Sequence, residues 1–263
     1  MKTAAVFLCL KCRNVRKNMA KWLISMQYDG LCYKGFQRLK DNEKTIQGIV
    51  EQCISELLSE QIVISGSGRT DSGVGALSQT ATFKYGGSID MSRFVRDINS
   101  ILPNDIRINS IREVPDTFHA RYSAVSKIYR YRIFCGEVRD VFGWRYYYEV
   151  NDRPDTEMMR TAAKSIVGTH DFRAFSSVKD KEYDTVRCVN RIDVCENGNI
   201  IDVIAEGNGF LYNMVRIIAG TLLDYSYGRI TLEDIELAFK TGDRKYAGKT
   251  LPPNALTLIK VKY

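Results

Sequence analysis

The stretch ISGSGRTDSGVGALSQTATF, residues 64–83, is a glycine-rich loop between two segments predicted to be β-strands. It displays one acid, Asp71, two residues after Arg69. A phosphate-binding P-loop contains a lysine, and this loop has none. A dinucleotide-binding loop would have a third glycine at the position of Asp71 and would be followed by a helix, whereas a strand is predicted here. One aspartate among serines also offers too few ligands for calcium. Two interpretations stay open: Asp71 hydrogen-bonds its own backbone in a tight turn, or the glycines let a ligand approach while Asp71 does chemistry.

The segments around this loop predict alternating strands and helices. Hydrophobic patterning predicts strands over residues 22–28, 61–65, 76–83, 106–114, 126–134 and 256–261, and two more on either side of residues 196–199, where Asn-Gly indicates a hairpin. It predicts helices over residues 45–58, 92–102, 155–167 and 211–223, and another at Thr231, which begins a capping box. These elements indicate an α+β fold of two α/β-type subdomains, residues 22–115 and 116–263, that share an extended sheet flanked by helices.

The overall charge is weak support for nucleic-acid binding. The formal net charge is +7, from 38 basic and 31 acidic residues. Residues 1–21 hold six of the basic residues and none of the acids, so the remainder is nearly neutral. An RNA-binding argument must therefore rest on local patches rather than on the isoelectric point.

The N-terminus and the cysteines indicate a cytoplasmic protein. The apolar run at residues 4–10 is short and lacks a small-x-small cleavage site, and no run of about 18 apolar residues could span a membrane. Residues 1–18 are expected to be a disordered tail or an over-extended start before Met19. The seven cysteines are scattered, and Cys9 and Cys12 have no second pair or nearby histidine to complete a zinc site. We expect a reduced chain without a metal.

A second unusual segment, residues 208–223, is nearly all apolar, and the helix predicted within it from residue 211 has Arg216 in its middle. A helix that is apolar on most sides is buried, and a buried guanidinium needs an anionic partner. One interpretation is that Arg216 extends along its stem to the surface. The other is that it fixes a buried acid and keeps that acid ionised, with Asp71 as the candidate.

The strand at residues 126–134 is a third candidate. Alternation places Lys127, Tyr129 and Tyr131 on one face, and Arg130 and Arg132 on the other. From residue 121 to residue 145, six basic residues are interleaved with six aromatic ones, a mixture that suits a splayed-out RNA base. An ordinary half-buried strand with a charged outer face is the alternative. His119 and His170 lie beside no recognisable nucleophile motif, so histidine catalysis is poorly supported.

Six blocks of the sequence, in order, resemble the tRNA pseudouridine synthases of the TruA type. GRTDSGVGALSQ resembles the family's signature loop, usually written GRTDAGVHA. YDGLCYKGFQ and TIQGIVE resemble its N-terminal blocks, and SKIYRYRI, GTHDFRAF and GNGFLYNMVRIIAGTLL its later ones. The resemblance covers residues 22–263 and implies the pseudouridine synthase fold, with a mostly antiparallel sheet and a central RNA-binding cleft.

The resemblance also implies an activity and roles for particular residues. Family members exchange the N1–C1′ bond of a uridine for a C5–C1′ bond, at positions 38–40 of the tRNA anticodon stem-loop. Asp71 matches the essential aspartate, which attacks C1′ or removes a proton from C2′, and Arg216 matches the arginine that pairs with it. Tyr129 matches the tyrosine that packs on the base and Arg69 an arginine that helps to flip it, while Lys127 and Leu256 are further candidate substrate contacts.

The resemblance implies no metal or cofactor, and a homodimer whose two subunits share the RNA. Two positions depart from the family pattern. Gly75 stands where histidine is usual, which we expect to alter RNA contacts without abolishing activity. The segment LPPNALTL, residues 251–258, replaces a pattern like APAxGL and puts the pocket wall near Leu256 in question. A non-catalytic RNA-binding protein on the same fold is the alternative function.

Overall fold

A ten-stranded β-sheet crosses the part of the chain that the structure, a computed structural model, describes: residues 19–40 and 44–263. The strands are β1 (Ala20–Tyr28), β2 (Ser65–Gly66), β3 (Gly75–Tyr85), β4 (Ile106–Val114), β5 (Ser126–Phe134), β6 (Tyr148–Glu149), β7 (Gly168–Asp171), β8 (Val186–Asn197), β9 (Ile200–Gly207) and β10 (Leu256–Lys262). The helices are α1 (Ile46–Leu58), α2 (Met91–Ile101), α3 (Thr156–Ile166), α4 (Met214–Ser226) and α5 (Leu232–Thr241). The tail predicted for residues 1–18, with Cys9 and Cys12, lies outside the described residues.

The order of the strands places the C-terminal strand in the middle of the sheet. The main path runs β4-β1-β3-β10-β5-β9-β8-β7, with β2 on β3 and β6 on β5. All pairings are antiparallel except β10 with β3 and β5 with β6. This agrees with the prediction of a mostly antiparallel sheet. The C-terminal strand β10 therefore joins the strands of residues 20–114 to those that follow. The division into subdomains near residue 115 stays a prediction.

The two faces of the sheet differ in burial. In β1 the alternate residues Trp22, Ile24 and Met26 are buried in one large cluster with α1, while Gln27 on the other face is exposed. In β5 the same alternation buries Tyr131 and Ile133 in a cluster shared with α4. This alternation places the main core on one face of the sheet, while Leu23 and Val114 form a separate small cluster with Ala120.

The predicted helix starts at Asp155 and Thr231 are confirmed, because Asp155 accepts from the backbone of Glu157 and Met158, and Thr231 forms a full capping box with Asp234. The hairpin at Asn197 and Gly198 is also confirmed, since β8 and β9 pair directly across it. None of the helices in the described part of the chain combines the length and apolar composition that crossing a bilayer requires.

Two predicted boundaries are wrong for identifiable reasons. The strand predicted at residues 61–65 is only Ser65–Gly66, because the side chains of α1 take the preceding backbone N–H groups. Ile62 donates to Ser55 Oγ at 2.9 Å and Ile64 to Glu51 Oε1 at 3.0 Å. The helix predicted from residue 211 begins at Met214, because Asn213 has a left-handed backbone with φ of 63°, which an α-helix cannot include.

Candidate active site

The Asp71 loop is held in place by the segment at residues 28–37. Phe36 N donates to Thr70 O at 3.0 Å, and Gly73 N donates to Gly30 O at 3.2 Å. A Cβ atom on Gly30 would lie 2.0 Å from Val74 O, so the two backbones pack closer than any side chain allows. The quoted motif and this segment therefore form one unit, although about 40 residues separate them.

The glycines of the loop lie close to other parts of the protein, while Gly68 also lines the cleft described below, so the approach of a ligand along the loop stays a prediction. A Cβ atom on Gly66 would lie 2.4 Å from Phe36, and one on Gly68 would lie 2.7 Å from Lys127 Nζ. Gly73 faces Pro253 and Gly75 faces Tyr28 O. Each glycine admits a protein neighbour, so the glycines fix the loop against the rest of the fold.

The loop presents the Asp71 carboxylate to a cleft of about 620 Å³. Five of the six residues singled out in the sequence line this cleft: Arg69, Asp71, Lys127, Tyr129 and Leu256. The opposite wall is formed by residues 210–215, just before and at the start of α4. Among the described residues no hydrogen bond reaches the carboxylate from its own backbone, so the local-turn interpretation of Asp71 does not hold.

Arg216, the sixth residue, contacts Asp71 from the side of α4. Its Nη1 lies 3.7 Å from Asp71 Oδ2, which makes an ion pair without a hydrogen bond. The Arg216 side chain is 14% exposed, so it does not extend to the surface. It donates from Nε to Leu251 O at 2.6 Å and from Nη1 to Asn213 Oδ1 at 2.5 Å.

The electrostatics of Asp71 differ from the sequence-based expectation. Burial raises the pKa of Asp71 above its usual value, and the Arg216 guanidinium opposes this shift only in part. Arg216 therefore lowers the cost of the charge without making Asp71 a stronger acid than usual. A carboxylate of raised pKa is a better base and nucleophile once it is ionised.

Two residues of β5 complete the cleft floor. Tyr129 is 8% exposed, and its ring meets that of Phe210 edge-on at 5.3 Å. Burial raises the pKa of Tyr129, so its hydroxyl stays protonated at neutral pH. Lys127 donates to Ser67 O at 2.7 Å, and burial, followed by the nearby Arg121, lowers the pKa of Lys127 to about 8.

The other face of β5 borders a different cleft. Arg130 and Arg132 line a second cleft of about 450 Å³, together with Gly75. The basic and aromatic residues predicted as one RNA-binding mixture are thus divided among two clefts, the core, where Tyr131 is fully buried, and the exposed surface, where Tyr122 and Phe142 lie. The departure at Gly75 does not line the Asp71 cleft.

The two histidines have local roles. His119 Nδ1 accepts from the backbone of Arg121, and His170 stacks on Phe239 with ring centroids 4.4 Å apart. Neither lines the Asp71 cleft. Among the described residues no three side chains of the types that bind metals lie together as a ligand set would.

The sequence did not single out Phe210, Asn213 or Tyr183, which also line the cleft, whereas Arg121, a member of the predicted basic and aromatic mixture, lines it too. Phe210 and Asn213 lie in the block before α4, where an aromatic and an asparagine beside a predicted helix start were the available signals. The segment at residues 251–258, which departs from the family pattern, still contributes to the site. Leu256 is buried and lines the Asp71 cleft, and Pro253 lies against Gly73.

Comparison with known proteins gives a consistent result. The family model described as tRNA pseudouridine synthase matches residues 24–123 and 162–263. The tRNA pseudouridine synthase A 2 of Bacillus cereus is 42% identical over 217 residues, which is 82% of this chain and 89% of the relative. The tRNA pseudouridine synthase A of Caldicellulosiruptor bescii is 41% identical over 245 residues, 93% of this chain and 100% of the relative.

A third relative, the tRNA pseudouridine synthase A 2 of Clostridium tetani, is 39% identical over 252 residues, which is 95% of this chain and 99% of the relative. A chain from the crystal structure of a Cbf5-Nop10-Gar1 complex aligns with 90% of this chain and 57% of its own length. Its TM-score of 0.33 and identity of 12% are too low to bear on fold or function. On the family match and the three close relatives, this chain belongs to the tRNA pseudouridine synthase family, whose members are isomerases that convert uridine to pseudouridine.

Proposed function

We propose that the Asp71 cleft receives a uridine from the anticodon stem-loop of tRNA, at positions 38–40, and that Asp71 starts its isomerisation. The observation that carries this proposal is the Asp71–Arg216 pair, which faces a cleft of about 620 Å³ beside the buried ring of Tyr129. In the exchange the N1–C1′ bond breaks, the C5–C1′ bond forms, and a proton moves from C5 to N1. Atoms and electrons balance without a redox partner.

Asp71 acts in its ionised form on the sugar, by attack at C1′ or by removal of the C2′ proton. Burial makes the carboxylate more basic, and Arg216 keeps the charge tolerable in the cleft. A uridine in a stem must leave its stack to reach this depth, at a cost of a few kcal/mol. Stacking on an aromatic ring returns about 1–3 kcal/mol per base, and Tyr129 with Phe210 offers such a surface.

The cations of the cleft suit the backbone of the RNA. Arg69 is exposed, and Arg121 and Lys127 line the same cleft. Neutralising a phosphate releases counterions, which supports affinity for any tRNA sequence. Arg69 lies at the cleft mouth beside Asp71, where it is suited to hold the flipped nucleotide. Leu256 is an apolar wall for the base.

Family membership also supports a homodimer in which one tRNA contacts both subunits, and a cytoplasmic enzyme. Light scattering on the purified protein, alone and with tRNA, measures the subunit count of each species. A monomer in both samples would contradict the proposed dimer but would leave the proposed isomerase activity unaffected.

The activity is tested with unmodified tRNA, in which pseudouridine is mapped by carbodiimide treatment and primer extension. New stops in the anticodon arm are expected with the wild-type protein and none with Asp71→Asn, while tRNA binding by the variant remains measurable. No stops with the wild type would overturn the substrate assignment, and normal turnover by Asp71→Asn would overturn the role of Asp71. The alternative, a non-catalytic RNA-binding protein, is disfavoured because Asp71 and Arg216 are both present and in contact.

A further inference from the structure

Asn213, immediately before α4, has a backbone conformation that is uncommon outside glycine. Its φ is 63°, and among the described residues the one other non-glycine residue with positive φ is Ser59. Asparagine is among the few residues that tolerate the left-handed region. The backbone changes direction at Asn213, where the cleft-lining residues 210–212 end and α4 begins. The Asn213 side chain lines the cleft.

The Asn213 amide connects Arg216 to the rim of the cleft. Its Oδ1 accepts from Arg216 Nη1 at 2.5 Å, and its Nδ2 donates to Ser177 Oγ at 2.9 Å. The orientation of the amide is chemically fixed, because a guanidinium can only donate and so must face the oxygen. Ser177 precedes Val178, which lines the cleft and defines its rim here. Ser177 N also donates to Tyr212 O at 3.0 Å, so this rim segment is tied to the residues before α4 at two points.

The Arg216–Asp71 contact does not orient the guanidinium by itself. The two side chains are 3.7 Å apart and share no hydrogen bond. The direction of the guanidinium is set by its two acceptors, Leu251 O at Nε and Asn213 Oδ1 at Nη1. With only the Nε contact left, the planar group could turn about that bond and carry its charge away from Asp71.

We propose that Asn213 is a positioning residue for the isomerisation, which holds the Arg216 charge against Asp71 and anchors it to the cleft rim through Ser177. This inference rests on the proposed function of the Asp71 cleft. Asn213 acts through Arg216 and takes no part in the bond exchange.

The informative variant is Asn213→Gly, because glycine keeps the left-handed backbone and removes only the side chain. Single-turnover pseudouridine formation on saturating enzyme separates the chemical step from binding, which is measured as the tRNA Kd. Loss of a hydrogen bond to a charged group predicts a rate about tenfold lower or more, with an unchanged Kd. Ser177→Ala should give a smaller loss, since it leaves the Oδ1 contact in place. Ser59→Gly is the matched control for the backbone and should leave rate and Kd unchanged.

A pH profile separates this role from a merely structural one. The groups that face Asp71 are Arg216 from α4 and Tyr129 from β5, with Arg69, Arg121 and Lys127 in the same cleft. Of these, Asn213→Gly releases only Arg216, so the acid limb of the rate profile should move to higher pH and the deficit should shrink as the pH rises.

Three results would overturn the inference: a wild-type rate and profile in Asn213→Gly, a loss that is the same at every pH, or a loss that appears entirely in Kd. A wild-type rate in Ser177→Ala would overturn the anchoring step. These results are distinguishable from a failure of the proposed function, in which the wild-type enzyme forms no pseudouridine in the anticodon arm or Asp71→Asn stays active.

Discussion

Replacing Arg216 by methionine tests the electrostatic design of the site most directly. Methionine keeps an unbranched apolar stem like that of arginine and removes the guanidinium with its charge. At the observed separation of 3.7 Å, Coulomb attraction amounts to about 1 kcal/mol in water and about 4 kcal/mol at an effective dielectric constant of about 20. The side chains are 14% and 29% exposed, so the interaction lies between these limits. Because the rate follows the ionised fraction of Asp71, the expected fall in rate at pH values below the pKa of Asp71 is between about fivefold and about a thousandfold.

The pH dependence gives this prediction its sign. Burial raises the pKa of Asp71 and Arg216 opposes that shift, so removing Arg216 raises the pKa further. A smaller fraction of Asp71 is then ionised at any given pH, and the acid limb of the rate profile moves to higher pH. The deficit of Arg216→Met should therefore be largest in acid and shrink as the pH rises. Arg216→Lys should recover part of the rate, because it restores the charge but cannot reach both Leu251 O and Asn213 Oδ1.

The assay is single-turnover release of tritium from tRNA labelled at uridine C5, with thermal unfolding measured in parallel. Arg229→Met is the matched control, since it removes an arginine that pairs with Asp224 at 3.1 Å beyond the end of α4, away from the cleft. The control should keep the wild-type rate. If Arg216→Met is folded and has the wild-type rate and pH profile, the reasoning about the pair is refuted.

Three further predictions follow from the titration of single groups. Asp71→Asn should abolish activity and raise the unfolding temperature at neutral pH. The reason is that wild-type stability falls as the pH rises through the folded-state pKa of Asp71, which burial raises. Equal stabilities of wild type and variant from acid to neutral pH would contradict this. The affinity for tRNA should fall as the pH rises through about 8, where Lys127 loses its charge. Lys127→Met should remove this pH dependence and reduce the slope of log affinity against log salt concentration by about 0.9. Filter binding that shows an unchanged slope would exclude a phosphate contact. Glu206→Gln should destabilise the fold by about 1–3 kcal/mol at neutral pH in urea unfolding, since Lys262 and Ser126 bind the carboxylate. The pKa of Glu206 is lowered from 4.5 to about 2, so this difference should shrink as the pH falls through that range, and a pH-independent difference would contradict it.

Local pattern predicted the helices and most of the strands, though not the short β6 and β7, and it predicted the two faces of β5. Its period of two placed Lys127 and Tyr129 on one side and Arg130 and Arg132 on the other, and the structure puts these pairs in different clefts. Local pattern could not predict that α1 side chains take the backbone donors of Ile62 and Ile64, because that competition is between segments. It also could not predict that the loop glycines face protein, since their neighbours come from residues far away in the chain.

The sign of the Asp71 pKa shift was out of reach of the sequence for the same reason. An arginine partner alone lowers a carboxylate pKa, and that contribution could be anticipated from a buried Arg216. Burial of Asp71 acts in the opposite direction, and its size depends on how β5, α4 and the segment at residues 28–37 close around the loop. Only the assembled cleft shows that burial is the larger of the two causes.

The distance between Arg216 and Asp71 suits the chemistry proposed for this carboxylate. A direct hydrogen bond from the guanidinium would stabilise the charge more strongly, but it would also occupy a lone pair and make Asp71 a weaker base and nucleophile. At 3.7 Å the positive charge offsets part of the burial penalty while both carboxylate oxygens remain free of hydrogen bonds within the described residues. Two of the five N–H donors of Arg216 are directed instead at Leu251 O and Asn213 Oδ1. Because those two acceptors orient the guanidinium, the reactivity of Asp71 depends on Leu251 and Asn213 as well as on the charge of Arg216.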